Sequence, residues 1–152
     1  MDRAEAKRAV VLLVEDDRGD QELTRRALQE DIVRADLHVV SDGEEAMDFL
    51  YQRGIYSPRS APRPDIVLLD LNMPKLDGRQ VLAQMRAADS FRTIPVVVLT
   101  TSQQEEDILR SYHLGCNSFI SKPVEVESFI KVVRELGHYW FELVALPLEV
   151  NV

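Results

Sequence analysis

Short apolar runs alternate with amphipathic segments along most of the chain, and this alternation restricts the fold more than any other feature of the sequence. Residues 10–14, 66–69 and 96–99 are continuous runs of Val, Leu and Ile. Continuous apolar runs of about four or five residues are typical of parallel strands that are buried on both faces of a sheet. Residues 37–40 and 118–120 are weaker strand candidates. The sequence therefore predicts a parallel sheet.

Helical patterns occupy the intervals between these runs. Apolar residues recur at helical spacing in segments 19–30, 44–51, 78–86 and 105–113, and again after Pro123. Strict alternation of strands and helices predicts an α/β protein with right-handed crossovers. We expect a flavodoxin-like, doubly wound (βα)5 sheet with strand order 2-1-3-4-5 and an extended C-terminal helix. The proline-bearing segment 54–64 predicts an exposed loop, either a connector or a recognition loop.

Bulk properties exclude several functional classes. The 152 residues fit one domain, and the formal net charge of -8 argues against nucleic-acid binding, because an acidic surface repels the phosphate backbone. A single cysteine, Cys116, excludes an internal disulfide and suits a reducing compartment. Residues 1–8 lack the apolar stretch of a signal peptide, and no apolar run approaches the ~20 residues that cross a bilayer. We therefore expect a cytoplasmic protein that binds neither nucleic acid nor membrane.

Polar side chains follow four of the predicted strands at their carboxyl ends. They are Glu15, Asp16, Asp17, Asp70, Thr100 and Lys122. Because ligands of an open parallel sheet bind at that edge, we expect these side chains to share one crevice. Clustered carboxylates repel one another unless a cation lies between them, and Mg²⁺ prefers such oxygen ligands. With an ammonium and a hydroxyl nearby, the cluster suits a carboxylate that accepts a phosphoryl group.

Each of these residues, taken singly, also has a structural interpretation. Acids at strand ends often cap the following helix, and a lone lysine near them often forms a surface ion pair. The coincidence of all of them at one edge favours a functional site.

Four motifs, in order along the chain, resemble the receiver domains of two-component response regulators. They are Leu13-Val14-Glu15-Asp16-Asp17, Leu68-Leu69-Asp70-Leu71-Asn72-Met73-Pro74, Leu99-Thr100-Thr101-Ser102 and Ser121-Lys122-Pro123. The spacings of 30 residues from Asp70 to Thr100 and 22 from Thr100 to Lys122 are also similar to those of the family. The resemblance covers roughly residues 9–137, so that 1–8 and 138–152 are extensions.

By this resemblance, Asp70 is the aspartate that a histidine kinase phosphorylates in a two-component phosphorelay. Thr100 would bind the phosphoryl oxygens, and Lys122 would pair with them. The enzymatic activity expected of such a chain is limited to intrinsic phosphotransfer and autodephosphorylation.

The resemblance also implies a Mg²⁺ site beside Asp70. Asp16 resembles the direct ligand and Glu15 its companion, acting through water, while Asn72 would offer its backbone carbonyl. We prefer Glu15 and Asp16 to Asp17 because they directly follow the apolar run.

Phe119 matches the switch aromatic of the family, which moves when Thr100 shifts toward the phosphate. Since phenylalanine has no hydroxyl, its switching would work through packing alone, and a buried strand Phe without a signalling role is the alternative. Phosphorylation adds about 1.5 to 2 negative charges and would bias a two-state arrangement of the face formed by 105–113, 118–120 and the last helix. The Lys122-Pro123 bond resembles the cis peptide of the family.

The C-terminal extension carries apolar residues at helical spacing. We predict an exposed patch for homodimerisation or partner docking, with folding back onto the chain as the alternative. Its interface residues would be Phe129, Val133, Trp140, Phe141 and Val144. This segment and the loop at 54–64 resemble the small receivers paired with phytochrome-type sensor kinases. Since nothing after Val152 could bind DNA, a stand-alone receiver without transcription-factor output is expected.

Two other functions compete with this interpretation. Phosphatases with a phospho-aspartyl intermediate resemble one another in having a second aspartate two residues after the nucleophile, where this chain has Asn72. A degenerate receiver that is never phosphorylated would be a pure interaction module, but the complete set of acids, threonine and lysine argues against it.

Overall fold

The protein is described by a computed structural model at residues 9–29, 35–101 and 104–143, with the backbone alone at 142 and 143. Its strands are β1 (Ala9–Val14), β2 (Ala35–Val40), β3 (Ile66–Leu69), β4 (Val96–Thr100) and β5 (Ser118–Ser121). They form one parallel sheet in the order β2-β1-β3-β4-β5. The predicted doubly wound fold and its strand order are confirmed.

A helix follows each strand. The helices are α1 (Arg18–Gln29), α2 (Gly43–Tyr51), α3 (Gly78–Ala87), α4 (Glu105–Leu114) and α5 (Val126–His138). A π-helical segment, Tyr139–Leu143, continues α5 and forms the predicted extension of the last helix.

The sheet separates two hydrophobic cores, which explains the continuous apolar runs. Successive side chains of a strand point to opposite faces. In β1, Leu12 and Val14 pack with residues of α2 and α3, whereas Val11 and Leu13 pack with residues of α1 and α5. A strand buried on both faces therefore has no position for a polar residue until it reaches the edge of the sheet.

The exposed apolar patch predicted for the C-terminal segment is wrong for three of its residues. Phe129, Val133 and Trp140 are buried in the core between α1, α5 and the sheet, because α5 packs along α1. Phe141 is half-buried at the border of that core, and Val144 lies outside the described residues. The alternative, folding back onto the chain's own surface, is the observed arrangement at these three positions.

Three further features concern the loops and the helices. Segment 54–64 contains no helix or strand and is mostly exposed, as predicted, although Ala61 and Pro64 are buried. Every peptide bond of the described residues is trans, so the expected cis bond at Lys122-Pro123 is not found. The trans isomer is the more stable one even before proline.

Within the described ranges, no helix combines the length and apolar character that crossing a membrane requires.

Candidate functional site

The carboxyl edge of the sheet brings four of the predicted site residues together. Glu15 follows β1, Asp70 follows β3, Thr100 ends β4 and Lys122 lies just beyond β5, and all four are buried. Backbone hydrogen bonds continue the sheet to these positions: the Asp70 amide donates to Val14 O at 3.0 Å and the Lys122 amide donates to Thr100 O at 2.7 Å. The four residues are therefore held by hydrogen-bonded backbone at one edge of the sheet.

Three carboxylates at this edge are arranged as a cation would require. Glu15, Asp16 and Asp70 each offer an oxygen, and these atoms lie within 4.8 Å of one another. Within the described part of the chain, the buried Asp70 Oδ1 has no hydrogen-bond partner, so it is available as a ligand. Asp16 is exposed, which leaves room for water. Hard oxygen donors of this kind fit Mg²⁺ or a similar divalent cation.

The neighbouring acid, Asp17, has a structural role. Its Oδ1 accepts a hydrogen bond from the Asp20 amide at 2.9 Å, at the start of α1. This is the capping interaction that satisfies a free amide of a first helical turn. Among the described acids, the group that could hold a cation contains Asp16 and not Asp17, and the ligand role of Glu15 and Asp16 stays a prediction.

Lys122 lies at the centre of the acidic crevice. Its ammonium forms a hydrogen bond with Glu15, contacts Asp20 Oδ2 at 2.9 Å and lies 3.6 Å from Asp70 Oδ2. Sequence reasoning missed Asp20, which occupies the first turn of α1. One sequence signal could have indicated Asp20: it lies four residues after Asp16, and the first turn of a helix that directly follows a strand lies at the carboxyl edge of the sheet.

The pKa values of Glu15 and Lys122 are both raised, but for different reasons. Burial, together with the nearby Asp70 charge, raises the pKa of Glu15 to about 8, although Lys122 opposes the shift. Burial lowers the pKa of Lys122, but hydrogen bonds to Glu15 and Asp20 and attraction to Asp70 and Glu15 outweigh burial and leave it above the usual range. Lys122 is therefore a permanent cation in the crevice.

Phe119 and Tyr112 connect the crevice edge to α4. Phe119 is half-buried in β5 and packs against the core that contains Leu82 and Val98. Its backbone amide donates to Tyr112 Oη at 3.1 Å, which links β5 to α4. Thr100 is fully buried at the end of the neighbouring strand, β4.

Asn72 lies in the loop that follows β3, where its side chain is exposed. The start of this loop is held by Gly78, whose amide donates to Leu71 O at 2.9 Å. A capping box between Asp77 and Gln80 then begins α3. The backbone after Asp70 is therefore fixed at two points.

Comparisons with known proteins agree with this geometry. The model of the response regulator receiver domain family matches residues 11–134. Response regulator Rcp1 of Synechocystis sp. is 42% identical over 138 residues, which are 91% of this chain and 92% of Rcp1.

Solved structures of such regulators superpose closely. The phosphorylated cyanobacterial phytochrome response regulator RcpA is 40% identical, with a TM-score of 0.88 over 93% of this chain and 100% of that chain. The Mn²⁺-bound form of Rcp1 is 41% identical, with a TM-score of 0.86 over 92% of this chain and 99% of that chain. The family model matches most of the length of this chain, and the chain has an acidic cluster at the carboxyl edge of its sheet. The chain therefore belongs to the response regulator receiver domains, signalling proteins that accept a phosphoryl group.

Proposed function

We propose that Asp70 is the phosphoryl acceptor of this receiver and that a sensor histidine kinase is its donor. The observation that carries the proposal is the buried Lys122 ammonium, 3.6 Å from an Asp70 carboxylate whose other oxygen has no hydrogen-bond partner among the described residues. A carboxylate oxygen of Asp70 attacks phosphorus, the bond from phosphorus to the imidazole nitrogen of the donor breaks, and that nitrogen keeps the electron pair.

The surrounding residues have complementary roles in this proposal. Lys122 and Thr100 donate to the phosphoryl oxygens, where negative charge accumulates. Glu15, Asp16, Asp70 and the backbone carbonyl of Asn72 would hold Mg²⁺, which would supply neutralising charge for the developing phosphoryl charge. Water at this site would hydrolyse the acyl phosphate and return the domain to its resting state.

The signal leaves through the face formed by α4, β5 and α5. Leu109 of α4 is 71% exposed, and Tyr112 is also exposed although it bonds to the Phe119 amide. A shift of Thr100 toward the phosphate would change the packing of the half-buried Phe119 and so this contact. Apolar groups on a surface of this kind suit a protein partner.

Since the relative RcpA is a phytochrome response regulator, we propose a phytochrome-type kinase as the donor of the phosphoryl group.

Incubation with acetyl phosphate and Mg²⁺ is expected to add one phosphate to the parent protein, as measured by intact mass. Asp70→Asn removes the nucleophile and should abolish the adduct, and chelation of Mg²⁺ should prevent it in the parent. Asp17→Asn is the matched control, because Asp17 caps α1 and stands outside the ligand group. An adduct that survives in Asp70→Asn would contradict the assignment.

The same experiment separates the competing functions. A parent protein that takes up no phosphate would be an interaction module. Continuous turnover of a generic phosphate ester would indicate a phosphatase, whereas a receiver is expected to leave that ester intact and to carry at most one phosphate per chain at any time.

We further propose that the chain forms a homodimer through residues 138–152. Tyr139, which is 53% exposed on the π-helical segment, and the half-buried Phe141 are the described apolar groups that could contribute. Tyr139→Glu places a charge in the interface and is expected to raise the dimer dissociation constant at least about tenfold, by the cost of burying an unpaired charge. Analytical ultracentrifugation would measure it, with Ile55→Glu in an exposed loop as control. A parent that is monomeric at all concentrations would contradict the dimer.

A further inference from the structure

Asp20 makes a contact that the proposed chemistry does not use. Its Oδ2 lies 2.9 Å from Lys122 Nζ, across 102 residues of sequence, and joins α1 to the loop after β5. The lysine side chain is only 5% exposed, so this ammonium has little access to water. An ammonium has three N–H donors. Asp20 and Glu15 take two of them, and Asp70 Oδ2, at 3.6 Å, is beyond normal hydrogen-bond distance.

The backbone of Asp20 is held in place independently of this contact. Its amide donates to Asp17 Oδ1 at 2.9 Å, and its carbonyl accepts from Thr24 Oγ1 at 2.8 Å. The carboxylate is therefore presented from a fixed first turn of α1. Burial lowers the pKa of Lys122, and the hydrogen bonds to Glu15 and then to Asp20 are the largest effects that raise it.

We propose that Asp20 is a positioning residue that holds the Lys122 ammonium in the resting state and competes for it with the phosphoryl group on Asp70. The inference rests on the proposed role of Asp70. A phosphoryl group brings about 1.5 to 2 negative charges and its own acceptor oxygens. Lys122 then divides its donors between that group and Asp20, while the Asp20 charge also repels the phosphoryl oxygens. Asp20 thus lowers the stability of the phosphorylated state.

Removal of this charge is expected to strengthen binding of a phosphoryl mimic. Asp20→Asn keeps the shape and one acceptor oxygen but loses the charge. Its dissociation constant for beryllofluoride with Mg²⁺, measured by calorimetry, should fall about 3- to 10-fold, the range expected for one partly exposed charged contact. Asp20→Ser, a second neutral variant, should change the constant in the same direction if the asparagine variant folds poorly.

Glu22→Gln is the matched control. It removes the same charge from the same helix, but its side chain is 74% exposed and pairs with Arg25 at 3.9 Å. The beryllofluoride dissociation constant of this variant should stay within about twofold of the parent value, as for a screened surface charge.

A second measurement reports on the resting state without any phosphoryl mimic. In ¹⁵N NMR spectra, the Lys122 ammonium of the parent and of Glu22→Gln should exchange its protons slowly, because it is buried and hydrogen-bonded. Exchange should accelerate in Asp20→Asn. A merely structural role for Asp20 would lower the melting temperature without strengthening beryllofluoride binding.

The outcomes separate this inference from the proposed function. Beryllofluoride binding that is unchanged or weaker in Asp20→Asn, with normal binding by the parent, would overturn the inference and leave the role of Asp70 intact. A parent protein that binds no beryllofluoride would overturn both.

Discussion

Lys122→Met is expected to lower the free energy of unfolding by about 3 kcal/mol when no divalent cation is present. The lysine side chain is 5% exposed and lies among the carboxylates of Glu15, Asp20 and Asp70. Removal of one partner of a buried ion pair costs about 3–5 kcal/mol, since the remaining charge is left uncompensated. We expect the lower end of that range, because burial already raises the pKa of Glu15 and so favours a neutral Glu15 when the Lys122 charge is lost. Methionine keeps most of the apolar packing of the lysine stem.

Urea unfolding in the presence of a chelator would measure this loss, with the single tryptophan, Trp140, as a buried fluorescent probe. Lys75→Met is the matched control: Lys75 is 59% exposed and lies 3.6 Å from Asp42. An exposed ion pair contributes about 0–1 kcal/mol. Addition of Mg²⁺ should restore part of the stability of Lys122→Met, because binding to the native state stabilises it. Equal losses of unfolding free energy in Lys122→Met and Lys75→Met would contradict the role of Lys122 as the cation that compensates the buried carboxylates.

Gly78→Ala is expected to lower the free energy of unfolding by about 3 kcal/mol or more, at or above the upper end of ordinary overpacking. A Cβ at this position would lie 2.2 Å from Asp70 O and 2.7 Å from Leu71 Cα. Both are backbone atoms, so no side-chain rotation can relieve the overlap. The loop after β3 must move, and the carbonyl beside the proposed acceptor moves with it. We therefore also expect slower uptake of phosphate from acetyl phosphate.

Gly19→Ala is the control for this substitution. Gly19 lies in the first turn of α1, and its added Cβ would meet Asp17 Oδ1 at 3.1 Å, so that this exposed side chain has to move by only a few tenths of an ångström while it keeps its hydrogen bond to the Asp20 amide. Since alanine is favoured over glycine in helices by about 1 kcal/mol, the stability should change little or increase. Comparison of the two variants by urea unfolding tests the close approach of α3 to Asp70. A Gly78→Ala protein as stable as the parent would contradict it.

The fold could be predicted because its signals are local. Residues 10–14, 66–69 and 96–99 are apolar at every position, which suits strands buried on both faces and excludes amphipathic helices. Strands that alternate with helices allow few topologies, because crossovers are right-handed. For the same reason, the polar residues that end these runs could be assigned to one edge before the strands were paired.

The contacts within that edge could not be predicted in the same way. Asp20 and Lys122 are 102 residues apart, and their contact depends on how α1 is placed over the β1 end of the sheet relative to the loop after β5. Similarly, the helical spacing of Phe129, Val133 and Trp140 indicates an apolar face but not what covers it. In the folded chain α1 and the sheet cover it, so an expected interface is part of the core.

The sequence by itself determined which segments are strands and helices, their order, and which polar residues lie at the carboxyl edge of the sheet. These properties follow from side-chain periodicity and from the connection rules of parallel sheets, which act over short stretches of chain. Only the tertiary structure decided which acids pair with Lys122, which acid of the triplet 15–17 caps α1, and which apolar residues face the core. Those contacts join distant segments, and their energies depend on distance and burial, which no local pattern contains.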